Sequence, residues 1–133
     1  MKRILQCNVN RSRQALDLLM QYVIEEDIAI CIISEMPYLR NPNSQFALDE
    51  SGIVAVYYRP EICNALMISK SKSDGIVMVN IGNLSIISCY LSPNSDRTQT
   101  LEYLDSLSDI LDVAQNPAIV AGDLNSKSPL WGS

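Results

Sequence analysis

The run Ile28-Ala29-Ile30-Cys31-Ile32-Ile33 has no polar position to offer to solvent. A strand with one wet face alternates apolar and polar side chains, so a near-continuous apolar run marks a strand covered on both faces. The segment just before it supplies one cover. Ala15, Leu16, Leu19, Met20 and Val23 recur at helical spacing and form one apolar stripe, in a helix expected from about Ser12 to Glu26 with Ser12 as its N-cap. Ahead of that helix, Arg3 to Val9 reads as a short strand, with the polar residues Asn8 and Asn10 at its end. The chain thus opens as strand, helix, strand, an arrangement that leads to an α/β fold.

Downstream the pattern turns mostly to strands. Met36 to Glu50, with Pro37, Pro42, two Asn and Ser44, reads as a loop, and Gly52 to Tyr58 as a strand closed off by Pro60. A short strand is expected around Ala65 to Ile68 and a polar turn at Lys70 to Asp74. Ile76 to Ile81 and Leu84 to Leu91 flank Gly82-Asn83, a two-residue hairpin signal, because Gly accepts the positive φ of a primed turn. After a loop at Ser92 to Ser95, Asp96 and Gln99 resemble a capping box opening a helix to about Val113, with Leu104, Leu107 and Leu111 on its buried side. Pro117 to Ala121 is the last expected strand, and Gly122 to Ser133 has loop composition. The expected architecture is a two-layered α/β sandwich with a mixed β-sheet and covering helices, in one domain.

Composition narrows the function classes. The 133 residues are 47% apolar, enough for a real core, yet no apolar run approaches the ~20 residues that span a bilayer. Met1-Lys2-Arg3-Ile4 does not open a signal peptide, so an intracellular protein, nuclear or cytoplasmic, is expected, with no membrane partner. Cys7, Cys31, Cys63 and Cys89 form no C-x-x-C and there is no His, so buried reduced thiols are expected and no zinc site. A net charge of −5 argues against a general nucleic-acid coat but not against an enzyme that handles nucleic acid locally. Glu25-Glu26-Asp27 and the acids from Glu102 to Asp112 read as solvated helix faces, and Arg11, Arg13 and Lys127 fall near the polar motifs. No oligomeric state is signalled.

Four polar clusters sit at ends of expected strands: Asn8 with Asn10, Glu35, Tyr90 with Asn94, and Asp123 with Asn125. Strand ends on one side of an α/β sheet share a rim where ligands bind. Each cluster alone has a plainer reading. Asn after a strand is commonly a turn or helix cap, Glu35 an exposed loop acid, and Tyr90 a half-buried strand aromatic. Asp123 and Asn125, with one residue between them, project to the same side and together could hold a phosphate-bound metal or orient a nucleophilic water.

In combination, Gln6-Cys7-Asn8-Val9-Asn10, Ser34-Glu35, Tyr90-Leu91-Ser92-Pro93-Asn94 and Gly122-Asp123-Leu124-Asn125, with Trp131-Gly132 downstream, resemble the endonuclease/exonuclease/phosphatase superfamily. The first motif continued through Arg11-Ser12 and Ala15, and the last continued as Ser126-Lys127-Ser128-Pro129-Leu130-Trp131-Gly132, look like endonuclease domains of insect-type non-LTR retrotransposons. The resemblance implies Mg²⁺-dependent phosphodiester hydrolysis, Mn²⁺ being a possible substitute, with DNA as substrate of the complete domain. It implies that Glu35 binds the metal with Asn8 in its near shell. Tyr90 would lie near the scissile phosphate, Asp123 would activate or position the attacking water, and Asn125 would donate to the phosphate. Asn10 stands where some relatives carry an acid. The family places a further Asp and a closing Asp-His pair in its C-terminal half, whereas this sequence has no His. Residues 1–133 are therefore expected to be the N-terminal part of such a domain, inactive alone. Two other functions fit the sequence: a non-catalytic binding module from a decayed mobile element, and a phosphodiesterase or phosphatase of lipids or inositol phosphates.

Overall fold

Every residue of the apolar run is buried in a central strand with cover on both sides. The computed structural model describes residues 3–63, 67–115 and 117–124, without the side chains of 69–71. The elements are β1 (Arg3–Asn8), α1 (Arg13–Glu25), β2 (Ile28–Ser34), β3 (Phe46–Leu48), β4 (Val54–Tyr58), α2 (Pro60–Cys63), β5 (Met67–Ser73), β6 (Ile76–Ile81), β7 (Leu84–Leu91), α3 (Arg97–Asp112) and β8 (Ala118–Leu124). They form two mixed four-stranded sheets, ordered β1-β2-β4-β3 and β5-β6-β7-β8.

The chain is thus an α/β sandwich, and its mixed strands divide into two sheets packed face to face. Ile30, Ile32, Val54 and Val56 of the first sheet meet Val77, Val79 and Ile86 of the second. Their neighbours along the strands point outward, each sheet against its own helix. Leu16, Leu19 and Val23 of α1 cover Cys31 and Ile33. Leu107 and Ile110 of α3 cover Ile76, Met78, Ile87 and Cys89. β2, β6 and β7 are apolar on both faces because one face meets a sheet and the other a helix.

Helices α1 and α3 start at the expected caps. The Ser12 hydroxyl accepts from the Ala15 N–H, and Asp96 with Gln99 closes a reciprocal capping box. Caps of this kind stabilise a helix by about 1 kcal/mol. The Gly82-Asn83 hairpin joins β6 to β7 with Ile81 opposite Leu84.

Several expectations shift. Phe46–Leu48, read as loop, pairs with β4, and Pro60 opens the short helix α2 instead of merely ending a strand. β5 runs through Lys70–Ser73, because pairing with β6 overrides its polar composition and moves the turn to Asp74-Gly75. Leu111 is 41% exposed, while Thr100 and Ile110 take the buried side of α3 with Leu107. Cys31, Cys63 and Cys89 are buried as expected, but Cys7, on the edge strand β1, is only half-buried. Burial pushes the Cys31 thiol up to about 12, with a smaller contribution from neighbouring Cys7. Cys89 is pushed up to about 11 by burial, against a hydrogen bond with Tyr103 that lowers it. Among the described residues no helix is long and apolar enough to cross a membrane.

Candidate functional site

Two parallel strand pairs carry the polar motifs to one rim. β1 lies parallel to β2 with Asn8 opposite Ser34, and β7 lies parallel to β8 with Tyr90 opposite Asp123. β1 and β8 are edge strands of different sheets, and their ends meet where Asn8 reaches across. The Asn8 amide nitrogen donates to Glu35 Oε2 at 2.6 Å and to Asp123 Oδ2 at 3.0 Å. Its Oδ1 accepts from the Asn10 backbone N–H at 2.8 Å. That backbone donor fixes which way the amide faces, because only the nitrogen end can serve two carboxylates. Asn8 therefore ties together two acids whose mutual repulsion would otherwise spread them.

The backbone around these residues is tightly specified. Asn10, Arg11 and Glu35 all take left-handed conformations, with φ of 52°, 58° and 53°. Such conformations are uncommon for residues other than glycine and concentrate at functional sites. The turn is held by Val9 N–H donating to Ser34 O at 3.1 Å and Arg11 N–H to Glu35 O at 2.7 Å. Glu35 is thereby turned out of line with β2 and placed beside Asn8.

Asp123 is positioned by the glycine before it. β8 extends through Leu124, beyond the expected end at Ala121, so Asp123 sits within the strand and in register with Tyr90. Gly122 has φ +146°, and a Cβ there would lie 2.0 Å from Cys89 O and 2.7 Å from Cys89 N. Only glycine permits this approach of β8 to β7. Gln6, which sequence reasoning noted only as part of the first motif, donates its amide to Gly122 O at 3.0 Å and ties the same strand to β1.

Glu35 is only 20% exposed, and its second oxygen, Oε1, faces Arg11 Nε at 3.8 Å. Arg11 also borders a cleft of about 550 Å³ that runs from the rim past Tyr90, Ser92 and Gln99 to Tyr103. One wall of this cleft depends on Asp49, which the sequence reading left in a loop. Its buried carboxylate accepts from the N–H groups of Ile53 at 2.8 Å, Val54 at 3.0 Å and Gly75 at 2.7 Å. The Asp-Glu-Ser-Gly turn at residues 49–52 was the available signal, since Asp readily bonds backbone groups in such turns. The Tyr103 hydroxyl donates to Gly75 O at 2.9 Å, and burial raises its pKa, keeping it a donor.

The arrangement brings Asn8, Glu35 and Asp123 into one hydrogen-bonded group, with half-buried Tyr90 on the strand beside Asp123. Asn94 lies on the exposed turn after β7, outside that group, with its N–H donating to Ser92 Oγ at 3.2 Å. Asn125 and the Trp131-Gly132 segment fall outside the described residues. No cluster of three or more His, Cys, Asp or Glu that could hold a metal is found among the described residues. Two carboxylates at an open rim still suit Mg²⁺, which takes one or two protein carboxylates and fills its other positions with waters and substrate phosphate oxygens. Ser34, next to Glu35, adds a buried hydroxyl with no hydrogen-bond partner among the described residues. Buried hydroxyls are normally paired, so Ser34 keeps an unused hydrogen-bonding group one residue from Glu35.

A family profile described as "Endonuclease-reverse transcriptase" matches residues 84–133. No curated protein sequence matches the chain. Among solved structures, the endonuclease domain of TRAS1, a telomere-specific non-LTR retrotransposon, is 25% identical with a TM-score of 0.75, over 99% of this chain and 64% of that one. An AP endonuclease from Archaeoglobus fulgidus is 17% identical with a TM-score of 0.66, over 92% of this chain and 56% of that one. A humanized D. rerio TDP2 carrying 14 mutations is 17% identical with a TM-score of 0.53, over 98% of this chain and 66% of that one. The chain therefore spans less than two thirds of the length of each of these structures.

Proposed function

We propose that this chain, which has the fold of the endonuclease/exonuclease/phosphatase superfamily, is the N-terminal part of a DNA-nicking endonuclease domain that hydrolyses phosphodiesters with Mg²⁺. The observation that carries the reading is the Asn8 amide bridging Glu35 and Asp123 at the meeting point of two parallel strand pairs. Glu35 would hold the divalent cation, with Asn8 orienting its carboxylate through their hydrogen bond. Mg²⁺, or Mn²⁺ in its place, neutralises phosphate charge when bound. Asp123 positions the attacking water, Tyr90 lies against the scissile phosphate, and Asn125 donates to it.

Residues 1–133 supply these groups but not the imidazole that the complete family site contributes. A group aimed at charge developing on the phosphate is commonly worth about 3–4 kcal/mol of barrier. The chain alone should accordingly not nick DNA measurably, whereas a version extended through the family's C-terminal Asp-His pair should. The coverage of 64% and 56% of the two endonuclease structures supports this assignment. Among the described residues β1 and β8 are edge strands, and β8 leaves Val120 46% exposed and Leu124 39% exposed, which supports it as well.

The test is a plasmid-nicking assay in Mg²⁺ with the chain, the extended chain, and the extended chain carrying Asp123→Ala. Nicking confined to the extended wild type is expected. Metal-dependent nicking by the short chain, abolished there by Asp123→Ala, would overturn the requirement for the second half. An inactive extended chain that still binds duplex DNA would favour a non-catalytic binding module.

A further inference from the structure

Among the described residues Arg11 is the cation paired with the acid group, and its placement is unusual in three respects. Its backbone is left-handed, at φ 58°, and its N–H donates to Glu35 O at 2.7 Å, so the two residues are locked together through the main chain. Its guanidinium lies 3.8 Å from Glu35 Oε1, the oxygen that Asn8 leaves unused. Its side chain is nevertheless 61% exposed and borders the cleft that passes Tyr90. A long charged side chain with a fixed root, a loose ion pair and open space beside it has two places to go.

We propose that Arg11 stands in for the metal at Glu35 and, when a divalent cation arrives, swings to the Tyr90 side of the rim to hold a phosphate of the substrate strand. This rests on the reading of Glu35 as a metal-holding residue. A guanidinium and a divalent cation compete for the same carboxylate oxygen and repel each other across it. Glu35 would yield that oxygen to a divalent cation, whose charge is the larger. The displaced guanidinium stays tethered a few ångströms away, where a phosphate bound at Tyr90 and Asp123 presents further oxygens. Arginine suits this second role, since its planar fork pairs with phosphate oxygens. Arg11 therefore offsets the Glu35 charge before loading and gives the loaded site a phosphate grip. Metal binding and DNA binding become coupled through one side chain, and such coupling is reciprocal.

The experiment uses the whole 133-residue chain as wild type, Arg11→Gly, Arg11→Lys and Glu35→Gln. Glycine suits the left-handed backbone, so Arg11→Gly removes the guanidinium without straining the turn. Calorimetric titration with Mn²⁺ should show Arg11→Gly binding about two- to fivefold tighter than wild type, the range an exposed ion pair supports. Arg11→Lys should stay near wild type, and Glu35→Gln should lose the site. Binding of a short fluorescent DNA duplex is then measured across salt concentrations in EDTA and in Ca²⁺. Wild type should gain about one phosphate contact in the salt dependence on going from EDTA to Ca²⁺, and Arg11→Gly should not.

Equal or weaker Mn²⁺ binding by Arg11→Gly, with Glu35→Gln still silent, overturns the stand-in role and leaves the metal reading intact. A salt dependence that Arg11→Gly lowers equally in EDTA and Ca²⁺, or a wild type with no Ca²⁺-dependent gain, overturns the switch to phosphate. Mn²⁺ binding that is absent from wild type, or unchanged by Glu35→Gln, overturns both this inference and the metal reading.

Discussion

Asn8 shows how much one amide can decide. It accepts from Asn10 and donates to both Glu35 and Asp123, so each replacement has a distinct expected cost. Asn8→Asp puts a third carboxylate where a donor stood, and in EDTA it should lower stability by about 1–3 kcal/mol. Mg²⁺ should return part of that loss, since a ligand that binds only the folded state stabilises it. Urea unfolding with and without Mg²⁺ checks both halves, and an Asn8→Asp chain indifferent to Mg²⁺ would count against a metal at this rim. Gly122→Ala tests a different constraint. Its methyl would collide with backbone atoms of Cys89, so destabilisation of about 2–5 kcal/mol or displacement of Asp123 is expected, read by unfolding and by Mn²⁺ titration. Glu35 and Asp123 were legible as candidates from their motifs, but the tie between them was not. Asn8 and Asp123 are 115 residues apart in the chain, and nothing in either local pattern states that the two strand ends touch.

At the level of elements, strands and helices with strong local patterns were readable. The α1 stripe, both caps, the apolar β2 run and the Gly82-Asn83 hairpin all stand where their residues place them. Elements that depend on a partner were not. β3 is only three residues long, and the polar half of β5 is strand because β6 runs beside it. The buried thiols of β2 and β7 give a test of the layers. Their ionisation is pushed from 9.0 to about 12 for Cys31 and about 11 for Cys89, mainly by burial. The folded protein therefore keeps them neutral where the unfolded chain ionises. Their stabilising contribution is complete below about pH 9 and is lost as pH rises through about 11–12. Urea midpoints should fall between pH 8 and pH 10, and less so in Cys31→Ala compared at its own baseline. Thiol labelling adds a second check: half-buried Cys7 should react first in native protein, with Cys31 and Cys89 reacting only on unfolding. Equal native reactivity at all three would contradict the packing of both helices.

For the molecule as a whole, the two sheets divide along the sequence. The first is built from residues between Arg3 and Tyr58 and the second from residues between Met67 and Leu124, with no strand exchanged among the described residues. Either sheet can gather its strands from nearby chain, which is the quicker kind of contact to form. The Asn8–Asp123 bond is of the opposite kind, joining the beginning of one sheet to the end of the other. It can exist only after the halves have docked, so the candidate site is a late event in folding. Local opening along the seam would dissolve it while leaving both sheets intact. Hydrogen exchange should accordingly show the β1 and β8 amides opening at lower free energy than those of β2, β6 and β7. Occupancy of the rim by a bound ion would raise the protection of the first pair selectively. The seam, in kinetic language, is a latch: the chain reports that its two halves have found each other by presenting the acids side by side.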